Sequence, residues 1–211
     1  MSELKVEQLS VEWFAVRLHR ITGSKFQKLM PTKKQKPDQW SAGQLTILRE
    51  IAAQALTGER EETYTTKQMQ WGIDNEENAR RAFELHEMTT VRECGLFIYS
   101  DYIAASPDGI IESTGETWEA KCPTSKQHLL YFLDSDVLFN DYKWQVIGEC
   151  FCAEKKKGVI CSYDPRFPEN KRLVVHRFEP TIEDFELLKN RLNLAVELIK
   201  EWVSDPIDIE F

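Results

Sequence analysis

No stretch of this chain approaches the roughly 18 consecutive apolar residues that define a membrane-spanning helix, so none is expected. Met1-Ser2-Glu3-Leu4-Lys5 has no basic start followed by an apolar run, and a secretory signal is not expected either. There is no glycine-rich phosphate loop, no Ser-His-Asp arrangement and no internal repeat. Histidine is sparse, and His19, His86, His128 and His176 are scattered. The five cysteines are an odd count without an export signal, which points to reduced thiols in a cytosol. Cys150-Phe151-Cys152 has neither the spacing of a zinc knuckle nor that of a redox pair; an iron–sulfur cluster held by four of the five stays open as an alternative. Basic charge is also lacking: 27 Lys and Arg against 35 Asp and Glu give a net charge of −8, unpromising for a polyanion binder. The excess is uneven, however. From position 180 onward Glu183, Asp184, Glu186, Glu197, Glu201, Asp205, Asp208 and Glu210 face only Lys189, Arg191 and Lys200. The rest of the chain is close to balanced, and local basic clusters can still steer an anion.

What is present is ample material for a core. At 211 residues, with 42% hydrophobic and 11% aromatic residues, the chain is too apolar to be disordered and suits a single folded domain. Residues 10–30 read as two short helices around Ile21-Thr22-Gly23-Ser24, with Thr22 or Ser24 as a cap. Residues 31–39, polar and bracketed by prolines, read as a loop. Leu45, Leu48, Ile51, Ala52 and Ala55 repeat at helical spacing between Ser41 and about Leu56, and Gly58 is a stop signal. A helix is expected over roughly 75–87, with Trp71 in the core before it. Strands are expected at Val91–Tyr99, Tyr102–Ala105, Ile110-Ile111, Thr117–Lys121, Val159–Tyr163 and Leu173–Phe178. Residues 126–133 and 137–153 read as helices. A last helix runs from Thr181 to about Val203, with Asp184 completing a capping box. This order predicts an α/β (α+β) fold with one mixed sheet between helices. It divides one domain over 1–211 into a helical part (about 1–88), a core (about 89–180) and the final helix.

The informative stretch is Ser106-Pro107-Asp108-Gly109 followed by Trp118-Glu119-Ala120-Lys121-Cys122-Pro123. Glu119 and Lys121 stand two apart on a strand and therefore share a face, while Ala120 points the other way. If the strands pair as a hairpin-like unit, Asp108 joins them at one edge. Two carboxylates plus the Ala120 backbone carbonyl form a hard oxygen set suited to Mg²⁺ or Mn²⁺. A lysine beside such a set can stabilise an anionic transition state. Each fragment alone also fits a common turn or a solvated strand face; their order and spacing favour a site.

With these motifs the chain resembles the PD-(D/E)XK nuclease superfamily, and within it the phage lambda exonuclease group of YqaJ-type viral recombinases. The resemblance runs from about Trp13 to Phe185. It rests on Trp13 with Arg17-Leu18, Ile21-Thr22-Gly23-Ser24, Trp71-Gly72 with Glu76-Glu77-Asn78-Ala79-Arg80, the two motifs above, Gln145-Val146 and Tyr163-Asp164-Pro165-Arg166. It implies a restriction-endonuclease-like core with a central mixed sheet. It makes Asp108, Glu119 and the Ala120 carbonyl metal ligands, and Lys121 the catalytic lysine. Glu76 completes the metal site, holding a second ion, and Gln145 lines it. Arg17, Ser24 and Ser106 hold a terminal 5′ phosphate. The small Ala120 replaces a larger apolar residue, which matters little if only its carbonyl is used.

The implied activity is a Mg²⁺-dependent (Mn²⁺ substituting) 5′→3′ exonuclease on double-stranded DNA, with two ions per site. It would release 5′-mononucleotides and leave 3′ single-stranded tails for annealing recombination. The implied assembly is a homotrimeric ring around the duplex, with a single-strand annealing protein as partner, in the cytoplasm of a bacterial host of a phage or prophage. A superfamily endonuclease, an iron–sulfur helicase-associated nuclease and a non-catalytic DNA-binding module are the alternatives. By residue, Glu76 also reads as a helix-surface acid, Gln145 as a polar position on an amphipathic helix, Arg17 as a surface ion-pair partner and Ser24 as a plain cap. Lys33-Lys34-Lys36 and Lys155-Lys156-Lys157 read as solvated loops.

Overall fold

Alternating apolar residues in the middle of the chain build a five-stranded mixed sheet, and the helical segments cover both its faces. The structure is a computed structural model, and it describes residues 3–60 and 65–204. The tail acids Asp205, Asp208 and Glu210 lie outside the described residues. The elements in chain order are β1 (Glu3–Leu4), α1 (Val11–Arg17), α2 (Gly23–Leu29), α3 (Ala42–Thr57) and α4 (Lys67–Glu87). Then come β2 (Val91–Arg92), β3 (Leu96–Ser100), β4 (Ile103–Ala105), β5 (Gly109–Ile111) and β6 (Thr117–Lys121). After α5 (Ser125–Leu133) and α6 (Ser135–Ala153) follow β7 (Gly158–Tyr163), β8 (Leu173–Phe178) and α7 (Ile182–Ser204). The mixed sheet has the order β2-β5-β6-β7-β8, with β6 and β7 parallel and its other pairings antiparallel. The α5–α6 segment is the crossover that a parallel pair requires.

Four expectations need correction. The strands do not share one sheet: β3 and β4 join β1 in a separate antiparallel sheet of order β1-β3-β4. The expected continuous strand from Val91 is two strands, and Glu3 is bonded at the break between them. The Glu3 carboxylate accepts two 2.9 Å bonds from Arg92 and one from the Gly95 N–H at 3.1 Å. The helix expected from about 75 begins at Lys67, capped by the Thr66 hydroxyl. In its first two turns Met69, Trp71 and Ile73 stand at alternate positions, so helical periodicity is faint there. Trp71 is only half-buried, its ring lying 4.4 Å from the Arg166 guanidinium.

Strand alternation sets the two faces of the sheet. Trp118, Val159, Cys161 and Tyr163 pack with Ala79 and Phe83 of α4. Ile160, Val174 and Phe178 pack on the other face with Tyr131 of α5 and Leu138, Val146 and Cys150 of α6. A third cluster joins α2, α3, α6 and α7 to the small sheet through Phe26, Leu48, Ile147, Leu192 and Ile103. The α7 start forms as expected, with Thr181 and Asp184 capping each other at 3.0 and 3.2 Å. Buried Arg191 on α7 donates to the carbonyls of Leu29, Pro37 and Gln39 and lies 3.4 Å over the Trp40 ring, fastening the 31–40 loop to the body. Among the described residues no helix is long and apolar enough to cross a membrane.

Candidate active site

The β5–β6 ladder lasts two residue pairs, Gly109 with Trp118 and Ile110 with Thr117, and then opens. Asp108 stands in the fork. Its carboxylate accepts the Ala120 N–H at 2.8 Å, and its own N–H donates to Glu119 Oε2 at 3.3 Å. The turn before it is held from behind: Gln8 and the Cys94 thiol both donate to the Pro107 carbonyl at 3.1 Å. Glu119 and Lys121 share a face, as period two demands, and Lys121 Nζ donates to Glu119 Oε1 at 2.6 Å. Lys121 Nζ also sits 4.9 Å from the centre of the Tyr142 ring on α6. Ala120 turns the other way and packs with the α4 cluster.

That face of β6 looks at α6. Gln145 Nε2 donates both to Glu119 Oε1 at 2.6 Å and to Glu149 Oε1 at 3.0 Å. Glu149 is fully buried, and its Oε2 has no hydrogen-bond partner. Glu76 approaches from α4 and lines a cavity of about 340 Å³ together with Asp108, Gln8 and Trp118. Asp108, Glu119, Lys121, Gln145 and Glu76 therefore meet, as the sequence implies. Glu149 is the residue that sequence reading missed. Its signal was available: an acid one turn after Gln145, set among Val146, Ile147, Gly148, Cys150, Phe151 and Cys152, has no polar face to occupy.

Too many carboxylates crowd one ammonium, and their protonation reflects it. Burial first, and then Glu119 and Glu76, push the Asp108 carboxyl well above its usual range, with Lys121 opposing. Burial and Glu119 push Glu149 well above its range too, and Glu76 moves the same way for the same two reasons. Burial alone would lower Lys121, but Glu119, Asp108 and Glu149 overcome it and raise its pKa, keeping it charged. A divalent cation fits such a place: hard carboxylate oxygens, surplus negative charge and an orphaned buried oxygen. Among the described residues no three acidic, thiol or imidazole groups already converge as a closed ligand cage. Lys121, Gln145 and the Ala120 N–H occupy oxygens that a cation would share.

A pH dependence follows. Groups with pKa values raised by folding stabilise the fold below their ordinary values (about 4) and lose that contribution as pH rises through the raised ones. Without divalent cations the melting temperature should therefore fall as pH rises from the ordinary carboxylate range through neutrality. His19 and His176, lowered by burial, pull the other way near pH 6, so the diagnostic is the difference from a Mg²⁺-loaded sample. Calorimetry over that range with and without Mg²⁺ checks it; identical pH profiles would contradict the account.

A second feature adjoins this centre. Arg17, Ser24, Trp13, Thr22 and Arg60 line a cavity of about 760 Å³. Arg17 lies 3.9 Å over the Trp13 ring and donates to Thr22 Oγ1 at 3.2 Å. Burial, then Arg60, lowers its pKa to about 10, with Glu119 and Glu149 opposing. Thr22 occupies the cap position of α2, and Ser24 is an exposed residue of its first turn. Ser106 does not line this cavity; its hydroxyl accepts from Trp13 Nε1 at 3.3 Å and donates to the Gly95 carbonyl at 2.8 Å. The Ile21 backbone pairs with Tyr102 and Ala104 beside β4, at 2.7 and 3.1 Å, which fixes the turn carrying Arg17 against the small sheet. The cysteines are all free, and among the described residues no three of them cluster, which leaves no iron–sulfur site.

Sheet, flanking helices and the acid-and-lysine fork together define a PD-(D/E)XK-like nuclease. The family model described as "YqaJ-like viral recombinase domain" matches residues 12–156, and the chain belongs to that family. The solved alkaline exonuclease (LHK-Exo) from Laribacter hongkongensis is 25% identical, with a TM-score of 0.81 over 92% of this chain and 94% of its own. The same figures hold for LHK-Exo in complex with dAMP. A phage related exonuclease from Haemophilus somnus 129PT shares the fold at 14% identity, with a TM-score of 0.73 over 88% of this chain and 95% of its own. A search of curated proteins finds no match. The family and these neighbours make the chain a nuclease of exonuclease type.

Proposed function

We propose that the protein is a Mg²⁺-dependent 5′→3′ exonuclease on double-stranded DNA, releasing 5′-mononucleotides and leaving 3′ tails. The observation that carries this reading is the meeting of Asp108, Glu119, Lys121 and Gln145 at the open fork, next to a cationic cavity holding Arg17 and Ser24. Asp108, Glu119, Glu76 and the Ala120 carbonyl hold the cations, two per site, with Mn²⁺ as a substitute. The cations supply a polarised water and shield the charge that builds on the phosphodiester. Lys121 steadies the anionic transition state, and Gln145 holds the Glu119 carboxylate in place. Arg17 and Ser24 receive the terminal 5′ phosphate, since a guanidinium grips phosphate oxygens in a fixed fork, while Ser106 steadies the Trp13 ring under Arg17 instead of touching the phosphate.

An acidic chain holds DNA weakly by charge alone, so a ring of three copies around the duplex would supply the tether. A single-strand annealing protein would take over the exposed tail, in the cytoplasm of a bacterial host.

The test is digestion of linear duplex labelled at each 5′ or 3′ end in turn, with and without Mg²⁺. Mg²⁺-dependent loss of the 5′ label first, with closed circles intact, is expected. Cutting of circles would make the protein an endonuclease instead. Arg17→Ala should lower the preference for 5′-phosphorylated over 5′-hydroxyl ends about tenfold or more, because hydrogen bonds to charged groups are worth roughly 1.5–3 kcal/mol. Equal rates on both ends in the unmutated protein would remove the anchor.

A further inference from the structure

Glu149 has no role in the proposed chemistry, yet it is fully buried beside the acids that have one. It lies on α6, in an otherwise apolar stretch of helix, where an unpaired carboxylate is costly. One oxygen accepts from Gln145 Nε2, the same nitrogen that holds Glu119. Both carboxylates thus stand within hydrogen-bond reach of a single atom. The other oxygen, Oε2, is buried with no partner. On the far side Oε1 comes up to the start of α2, where a Cβ on Gly23 would lie only 3.2 Å from it. Glu149 also acts electrostatically on both Lys121 and Arg17. Geometrically it is joined to Glu119 through Gln145 on one side and lies against the start of α2, just before Ser24, on the other.

Without a cation, Glu149 and Glu119 face each other at hydrogen-bond distance, two buried carboxyl groups side by side. One orphaned oxygen beside a second carboxylate is what a hard cation requires: an open lone pair next to another anionic ligand. We propose that Glu149 is a direct ligand of a divalent cation, on the side of Glu119 that faces the Arg17 cavity. This rests on the metal-dependent reading above and extends its ligand set. A cation there would lie between Glu119 and a phosphate held by Arg17, and would offset the surplus charge of the cluster.

The test is Mn²⁺ binding to the full chain by calorimetric titration, with electron paramagnetic resonance as a count of bound ions. Glu149→Gln, which keeps the shape, and Asp108→Asn are compared with the unmutated protein. Glu149→Gln should bind one Mn²⁺ fewer or bind it about tenfold more weakly. It should also melt higher than the unmutated protein without metal and gain less on Mn²⁺ addition. Glu149→Asp, which keeps the charge on a shorter stem, should recover part of the affinity. Unchanged stoichiometry and affinity in Glu149→Gln would overturn the assignment while leaving the nuclease reading intact. Loss of turnover with unchanged Mn²⁺ binding would also overturn it, and would make Glu149 a positioning residue for Gln145. Failure of the unmutated protein to bind Mn²⁺ at all would overturn the metal reading itself, and with it this one.

Discussion

Lys121→Ala should lower the rate of DNA cleavage by about 10²–10³-fold, the usual effect of deleting one donor to a developing anion. It should also destabilise the metal-free protein by about 3 kcal/mol. Lys121 is the ammonium bound directly to buried Glu119, and removing one partner of a buried ion pair leaves its charge uncompensated. The two effects separate on adding Mn²⁺. A cation can replace the lost positive charge among Asp108, Glu119 and Glu149, so stability should return while cleavage stays low. Melting curves and single-turnover rates, each with and without Mn²⁺, check this. Full cleavage by Lys121→Ala would remove the lysine from the mechanism. Uncorrected instability in Mn²⁺ would mean that no cation reaches the fork.

The second large effect concerns packing. Gly148 on α6 faces Phe26 on α2, and a Cβ there would lie 2.0 Å from the ring's Cδ2. The absence of a side chain lets α2 lie directly on α6, bringing Ser24 and the turn carrying Arg17 up to the helix that bears Gln145 and Glu149. Gly148→Val must push the ring away. Overpacking of this kind costs roughly 1–3 kcal/mol, and the upper end is expected because the ring is fully buried. The melting temperature should drop by about 6–12 °C for a chain of this size. The shift of α2 should weaken the preference for 5′-phosphorylated ends, while Mn²⁺ binding at Asp108 and Glu119 persists. A variant of unchanged stability would show that the two helices are free to separate.

The fork of Asp108, Glu119 and Lys121 is legible in the sequence because short-range rules govern it. Period two puts Glu119 and Lys121 on one face, and Pro107-Asp108-Gly109 ends one strand before the next begins. The capping pairs Ser41 with Gln44 and Thr181 with Asp184 are local as well, and both form. What escaped is non-local. The strands divide between two sheets through pairings distant in sequence, such as Glu3 with Phe97 and Leu4 with Leu96. Trp71 looked like core because it is large and apolar, but its ring is held by Arg166, itself bound to buried Asp164 at 2.7 Å. The first two turns of α4 escape because their apolar residues, Met69, Trp71 and Ile73, alternate instead of recurring at helical spacing. Glu149 was passed over because buried acids are rare, although that rarity should have drawn attention to it.

The Arg191 clasp has a consequence for the basic loop beside α2. A proline-bracketed, lysine-rich segment would ordinarily sample many shapes, and any polyanion gripping it would have to freeze them. Here folding has done part of it: one guanidinium, lying over Trp40, ties the Pro37 and Gln39 carbonyls to the end of α2 at Leu29. Lys33, Lys34 and Lys36 therefore ride on a backbone anchored at both ends, and a polyanion meeting them would have less main chain to order than in an untethered loop.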